Sequence, residues 1–233
     1  MSLAVVQPYF FPYVGYFQLI NAVQNFVFYD DVNFVKKGWI NRNRILINGS
    51  DSLITVPLIK PSQNKIINEI ETKIDSYWID SFKKKIELSY KKAPYFKDVV
   101  EIIDHVFSKQ NTFISDLAIN STLEIVNYLM LDCIFSRSSV DFSESKGLDR
   151  TKRLVEITKL SMCDQYINPI GGQKLYSKSE FESQGVTLNF IQTKLTPYKQ
   201  FDVDFVAGLS ILDVLMFNSK EEVLVILNEF ELI

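Results

Sequence analysis

The sequence predicts an α/β fold: a Rossmann-like, parallel-rich sheet carrying a helical middle section at about residues 76–131. Three observations lead there. Strand, helix and strand patterns follow one another within residues 3–29, the size of a compact βαβ unit. Strand and helix patterns alternate again after residue 133. Between the two stretches the apolar residues recur at helical spacing. No repeat or flexible linker interrupts the chain, so its 233 residues read as one domain with the helical section inserted or packed alongside.

The elements follow in order. Residues 3–6 form a short buried strand, and residues 7–14 a loop stiffened by Pro8 and Pro12. Residues 15–23 read as a helix and residues 26–29 as a second strand that ends in Asp30-Asp31. Parallel pairing with a right-handed crossover follows. Asn48-Gly49 between residues 44–47 and 53–57 is a hairpin signal. Residues 66–74 add a strand or lead into the next helix. Helices are predicted over 77–92, 95–109 and 112–131, punctuated by Pro94 and Gln110-Asn111. The run Cys133-Ile134-Phe135 returns to the sheet. A helix at 149–162, a strand at 166–168, a short helix at 172–183 and a strand at 186–191 follow, and residues 210–231 read as mainly helical.

Composition narrows the chemistry. The formal charge of -3 does not suit a general nucleic-acid binder, so no DNA partner is expected. The N-terminus has no basic region before a long apolar run, and no stretch of about 18 apolar residues exists to span a membrane. A cytoplasmic location is expected, and the oligomeric state is left open. The two cysteines, Cys133 and Cys163, sit among apolar residues and read as buried thiols. His105, the one histidine, falls beside Asp98 and Glu101 on the wet face of its helix. A catalytic triad with histidine and a histidine-rich zinc site are therefore not expected, and any acid or base must be Asp, Glu, Lys or Tyr. Neither a dinucleotide fingerprint nor a P-loop occurs, and no cofactor or metal is assigned.

Two segments carry the candidate chemistry. Gln7, Tyr9, Tyr13, Gly15 and Tyr16 leave the first strand at its carboxyl edge, where open parallel sheets bind ligands. They offer one amide and three phenols beside a helix N-terminus suited to phosphate. The plainer alternative is a proline-stiffened turn packed on the core, and Phe10, Phe11 and Phe17 are expected to pack that way. The second segment runs from Asp30 to Arg44. Lys37, Arg42 and Arg44 supply positive charge, Trp39 a flat face, and Asn41 an amide. It reads either as a site for a nucleotide diphosphate or sugar, or as a solvated charged loop. Gly171-Gly172, after a strand and opening a helix, forms an anion cradle or a turn required by geometry. Lys83-Lys84-Lys85 and Lys91-Lys92 read as wet helix faces.

The segments Gln7–Ile20, Tyr29-Asp30-Asp31 and Lys36–Arg44 resemble the signature of the WbqC-like proteins. The resemblance continues in Lys92–Phe96, Gly171-Gly172 with Leu175-Tyr176, and Leu209–Leu215, and so covers nearly the whole chain. It implies a place in bacterial surface-polysaccharide (O-antigen) biosynthesis, and acyl or aminoacyl transfer to a nucleotide-linked amino sugar. No catalytic set comes with the family. On that implication Lys37, Arg42 and Arg44 hold the diphosphate, Trp39 or Tyr9 stacks on a ring, and Gln7 or Asn41 reads a hydroxyl. Asp30 accepts the amine proton, and Tyr16 or the helix end at Gly15 steadies the oxyanion. A non-catalytic protein that binds a sugar nucleotide or a partner remains an alternative. Tyr13-Val14-Gly15-Tyr16 is also similar in position to the HxGH motif of nucleotidyltransferases, with both histidines replaced by tyrosine. That implies a nucleotide-binding fold, while the lost positive charge weakens the case for adenylylation.

Overall fold

The computed structural model describes residues 1–233. The first strand, β1 (Ser2–Val6), runs into a loop and then α1 (Val14–Ala22), and β2 (Asn25–Phe28) returns parallel to β1 with Val5 opposite Val27. The predicted βαβ unit is present. Side chains alternate across the strands: Leu3, Val5 and Val27 face one core, and Ala4, Phe26 and Phe28 the other. Burial on both faces explains why these strands read as continuous apolar runs.

The hairpin of β3 (Arg42–Ile47) and β4 (Ser50–Thr55) forms around Asn48-Gly49, where both residues have positive φ (50° and 77°) as its tight turn demands. It is a separate two-stranded sheet. Residues 66–74 form no regular strand; they hold a single 3₁₀ turn at Ile67–Glu69 and isolated bridges. The helical middle follows as α2 (Ser76–Tyr90), α3 (Phe96–Ser108) and α4 (Ile114–Leu129). Phe82, Ile86, Val99, Ile103, Leu117 and Ile125 belong to the same apolar cluster as Phe17 and Phe26 of the sheet side. His105 is exposed on α3, 3.7 Å from Glu124. Both cysteines are free thiols; Cys163 is buried and Cys133 half-buried.

The chain then rejoins the sheet as β5 (Ile134–Arg137), parallel to β2. After α5 (Ser138–Asp141) and α6 (Arg150–Leu160) it crosses to the other side of β1 as β6 (Gln165–Pro169). The expected helix at 172–183 divides into a 3₁₀ turn at Ile170–Lys174 and α7 (Lys178–Glu182), because the paired glycines favour the tight turn over helix. Parallel β7 (Thr187–Thr193) follows. The expected C-terminal helix is also divided. Asn218 ends α8 (Ile211–Phe217), and a capping box of Ser219 and Glu222 starts α9 (Lys220–Leu227). The last residues pair antiparallel with β7 as β8 (Phe230–Leu232), a strand the helical pattern did not reveal.

The strand order is β5-β2-β1-β6-β7-β8. Connections run outward from β1 to β2 and β5, then reverse to β6, so the topological switch lies between β1 and β6. The ladder between these two strands covers Ser2–Gln165 and Leu3–Tyr166, whereas β1 stays paired with β2 as far as Val6. Beyond Leu3 the two central strands part, and a crevice opens at their carboxyl ends. No helix is long and apolar enough to cross a membrane.

Candidate functional site

A pocket of about 400 Å³ occupies this crevice. Val6 at the end of β1 and Pro169 at the end of β6 form its strand side. Tyr9, Tyr13, Gly15 and Tyr16 come from the loop and α1, Trp39 and Arg44 from the segment entering and forming β3, and Leu195 and Gly208 from the long connection after β7.

The loop after β1 is anchored by two adjacent phenylalanines. Phe10 and Phe11 are fully buried, with ring centroids 4.8 Å apart, and pack on Phe82 of α2. Tyr9 and Tyr13 on either side remain half-buried and reach the pocket. Phe11 has φ +41°, a conformation that costs a non-glycine residue about 1–2 kcal/mol. Its backbone is held from three distant places: its N–H donates to Ser121 Oγ at 3.0 Å, and its carbonyl accepts from Asn43 Nδ2 at 2.6 Å and Ser210 Oγ at 2.7 Å. Asn43 Nδ2 also reaches the Phe10 carbonyl, at 3.2 Å. The loop is thus pre-organised by contacts that its own sequence does not contain.

Gly15 sits in the first turn of α1, where a Cβ would lie 2.4 Å from Thr193 Oγ1 and 2.5 Å from Tyr13 Cε2. Close approach, and no special φ, makes glycine necessary. Tyr16 is buried and donates its hydroxyl proton to the Gln7 carbonyl at 3.1 Å, its ring 5.6 Å from that of Tyr9. Burial raises the pKa of Tyr9, Tyr13 and Tyr16, with the Thr193 hydrogen bond partly offsetting this at Tyr13. These phenols stay protonated donors at neutral pH.

Arg44 supplies the pocket's positive charge. One terminal nitrogen donates to Asp51 Oδ2 and the other to the Gly208 carbonyl, both at 3.1 Å, while the buried Nε has no partner. Trp39, 40% exposed, stands beside two guanidinium groups, Arg42 at 5.6 Å and Arg44 at 5.7 Å from its ring centre.

The remaining residues singled out from sequence lie off the pocket wall. Arg42 folds back onto the carbonyls of Gly38 and Lys37, and Lys37 is exposed with φ +61°. Asn41 donates to the Val56 carbonyl at 2.9 Å and pins the base of the hairpin. Gln7 is half-buried at the exit of β1. Gly172 packs so tightly that a Cβ would lie 1.8 Å from Asn168 Nδ2, while Gly171 faces open space. Asp30, assigned the amine proton from its place at a strand end, is fully buried. Its oxygens accept from Ser139 Oγ at 2.8 Å, Ser139 N at 3.1 Å and Ser138 Oγ at 3.2 Å, so it clasps β2 to the chain after β5. Asp31 beside it pairs with buried Arg153 at 2.6 Å.

Sequence reasoning missed Asn43, Thr193, Leu195 and Gly208. A signal existed for Asn43: it shares the inward face of β3 with Ile45, where an amide must find partners. The chain after β7 shows no periodicity, and nothing in it marks Leu195 or Gly208 as wall residues.

Strand order, parallel pairing and a pocket at the switch point define a Rossmann-like α/β protein. The chain belongs to the WbqC-like protein family, which it matches over residues 7–225. It is similar to the uncharacterized protein Rv1507c of Mycobacterium tuberculosis (strain ATCC 25618 / H37Rv), at 29% identity over 225 residues, 95% of each chain. No solved structure matches it.

Proposed function

We propose that this protein is a transferase of bacterial surface-polysaccharide assembly that binds a nucleotide-linked amino sugar in the switch-point pocket and acylates or aminoacylates its amine. The position of the pocket supports this most: an aromatic-walled crevice at the carboxyl ends of β1 and β6, where doubly wound sheets hold nucleotides. Trp39 and Tyr9 offer faces for a base or sugar ring, and Arg44 brings a positive charge to the same wall. In this reading the protonated hydroxyls of Tyr9 and Tyr13 donate to an oxyanion as the amine attacks the acyl carbon. No carboxylate, imidazole or thiol lines the pocket. In this reading the amine enters neutral and its proton departs with the leaving group, while Asp30 keeps a structural role.

A second reading, ATP-dependent nucleotidyl transfer, draws on one observation: Tyr13-Val14-Gly15-Tyr16 opens the first helix beside the pocket, as the motif it resembles would. One experiment separates them. Thermal stabilisation is measured with UDP-, GDP- and dTDP-linked amino sugars and with ATP, followed by mass spectrometry of the sugar nucleotide after incubation with acyl donors. A rise in Tm with one amino-sugar nucleotide and a matching mass gain are expected. Binding without mass gain leaves a binding protein; stabilisation by ATP alone favours nucleotidyl transfer; no response to any of them overturns the proposal.

A further inference from the structure

The outer face of α2 takes no part in the pocket, and its residues form one pattern. At about 100° per residue, Phe82, Ile86 and Tyr90 share the inner face, where all three are buried. Phe82 meets Phe10 and Phe11 there, so the inner face carries the loop of the pocket. Tyr77, Ser81, Lys84, Lys85, Leu88 and Lys91 fall on the opposite side, within a sector of about 120°. All six are exposed, Tyr77 by 82% and Leu88 by 69%. Lys91 keeps a helical backbone as the C-cap (φ −56°, ψ −19°), and its N–H donates to the Glu87 carbonyl at 2.9 Å. The stripe therefore runs unbroken for about 21 Å from Tyr77 to Lys91. Lys92, also exposed, follows in the next turn.

Positive charge is concentrated along this stripe. The chain carries -3 overall, yet residues 83–97 hold six lysines and one carboxylate, Glu87. Lys83 lies on the flank of the helix and pairs with Asp104 of α3 at 2.6 Å. Lys84, Lys85, Lys91 and Lys92 form no ion pair. Asp80 and Glu87 lie on the same flank as Lys83 and line the groove between α2 and α3 with Val100 and Ile103. No carboxylate stands within the stripe itself.

We infer that this face is a docking surface for an anionic lipid bilayer: the four unpaired lysines meet the headgroups, and Tyr77 and Leu88 enter the interface between them. Lysine suits such a partner, because its stem lies along apolar surface while the ammonium stays among the headgroups and needs no fixed geometry. Arginine, whose rigid fork reads the phosphates of nucleic acids, is missing from the stripe. A protein partner would need a pocket or a broad apolar patch to fill, whereas Tyr77 and Leu88 stand singly among lysines, about 16 Å apart along the helix. A bilayer asks only for shallow entry of isolated side chains, and its negative surface complements the lysines. This surface is independent of the nucleotide reading, since it lies on the side of α2 away from the pocket loop.

The probes are vesicles of phosphatidylcholine alone and of phosphatidylcholine with phosphatidylglycerol in equal parts, and binding of the full chain is read by co-sedimentation. The wild type is expected to bind only the anionic vesicles and to be released as salt rises. Lys84→Gln, Lys85→Gln, Lys91→Gln and Lys92→Gln combined should weaken binding about a hundredfold or more, at about fivefold per lysine. Leu88→Gln alone should weaken it about fivefold. Glutamine keeps the helix propensity of the residues it replaces, and an unchanged Tm shows that the fold is intact. The docking surface is overturned if the wild type ignores anionic vesicles, or if the four-lysine variant binds them as well as the wild type does. Equal binding by the wild type, Leu88→Gln and Tyr77→Gln overturns it too, since a bare polycation would then suffice. Polyuridylate or polyglutamate bound as tightly as the vesicles also overturns it, and assigns the face to a nucleic acid or an acidic protein.

Discussion

Gly15→Ala is the substitution whose consequence can be worked most directly from distances. The added methyl would sit 2.4 Å from Thr193 Oγ1, 2.5 Å from Tyr13 Cε2 and 2.8 Å from Tyr13 Cζ, all inside van der Waals contact. Thr193 ends β7, paired with Phe230 of β8, and cannot retreat easily, so the tyrosine ring has to move. Forcing a methyl into a packed site costs about 1–3 kcal/mol. Alanine returns up to about 1 kcal/mol through helix propensity, and less in a first turn. The net expectation is a loss of about 1–2 kcal/mol, a fall in Tm of roughly 3–6 °C for a chain of this size. Urea unfolding followed by circular dichroism gives the loss directly, with an unchanged m-value showing that the denatured state is unaffected. The displaced ring narrows the pocket, so stabilisation by its ligand should shrink as well. Adding Thr193→Ala removes the hydroxyl in the way and should recover part of the stability, a coupling that a double-mutant cycle measures. A Gly15→Ala variant as stable as the wild type, with ligand response intact, would refute the close-approach argument.

Two further buried sites probe the framework. Arg153→Met leaves the Asp31 carboxylate buried without its cation and should cost about 3–5 kcal/mol in urea unfolding; Asp31→Asn added to it should cost less than the sum of the single changes. Asp213 on α8 is fully buried and accepts from Tyr90 at 2.7 Å, Tyr198 at 2.6 Å and Gln200 at 2.5 Å. Asp213→Ala strips three donors of their acceptor, and a loss of at least about 3 kcal/mol is expected in the same assay. Burial holds the Asp213 pKa above the ordinary value, against the pull of its three hydrogen bonds. The folded state therefore favours the protonated acid. Its contribution to stability is full below about pH 4 and declines as pH rises through the raised value. Asp213→Asn should lack that slope in a series of melting curves, and an identical slope would show that another group is responsible.

Much of the fold was legible because it depends on local pattern. The apolar runs at 3–6 and 26–29, with a helix between them, could bury their faces only as a βαβ unit. Asn48-Gly49 is one of the few dipeptides that tolerate the positive φ its turn imposes at both positions. Legibility failed where a contact from far away decided the matter. Residues 230–232 follow a helical run but become β8 because the exposed edge of β7 offers backbone partners. Tyr9, Tyr13, Gly15, Tyr16, Trp39 and Arg44, singled out because unusual residues cluster after strand ends, line one pocket because the strand ends converge on the crevice. Asp30 was placed at the right edge of the sheet, but position in a strand does not say whether a carboxylate faces solvent or a serine arriving from residue 138.

The sequence by itself determined the class of fold, the helical middle section and a chemistry almost without imidazole or thiol. These follow from composition and periodicity, which act over a few residues. Only the tertiary structure decided which polar groups share a cavity. The partners that settle it, Thr193 against Gly15, Gly208 on Arg44, Ser138 on Asp30 and Arg153 on Asp31, come from more than a hundred residues away in the chain. Periodicity tells a residue which face of its own element it occupies; packing alone brings it the neighbour it meets there.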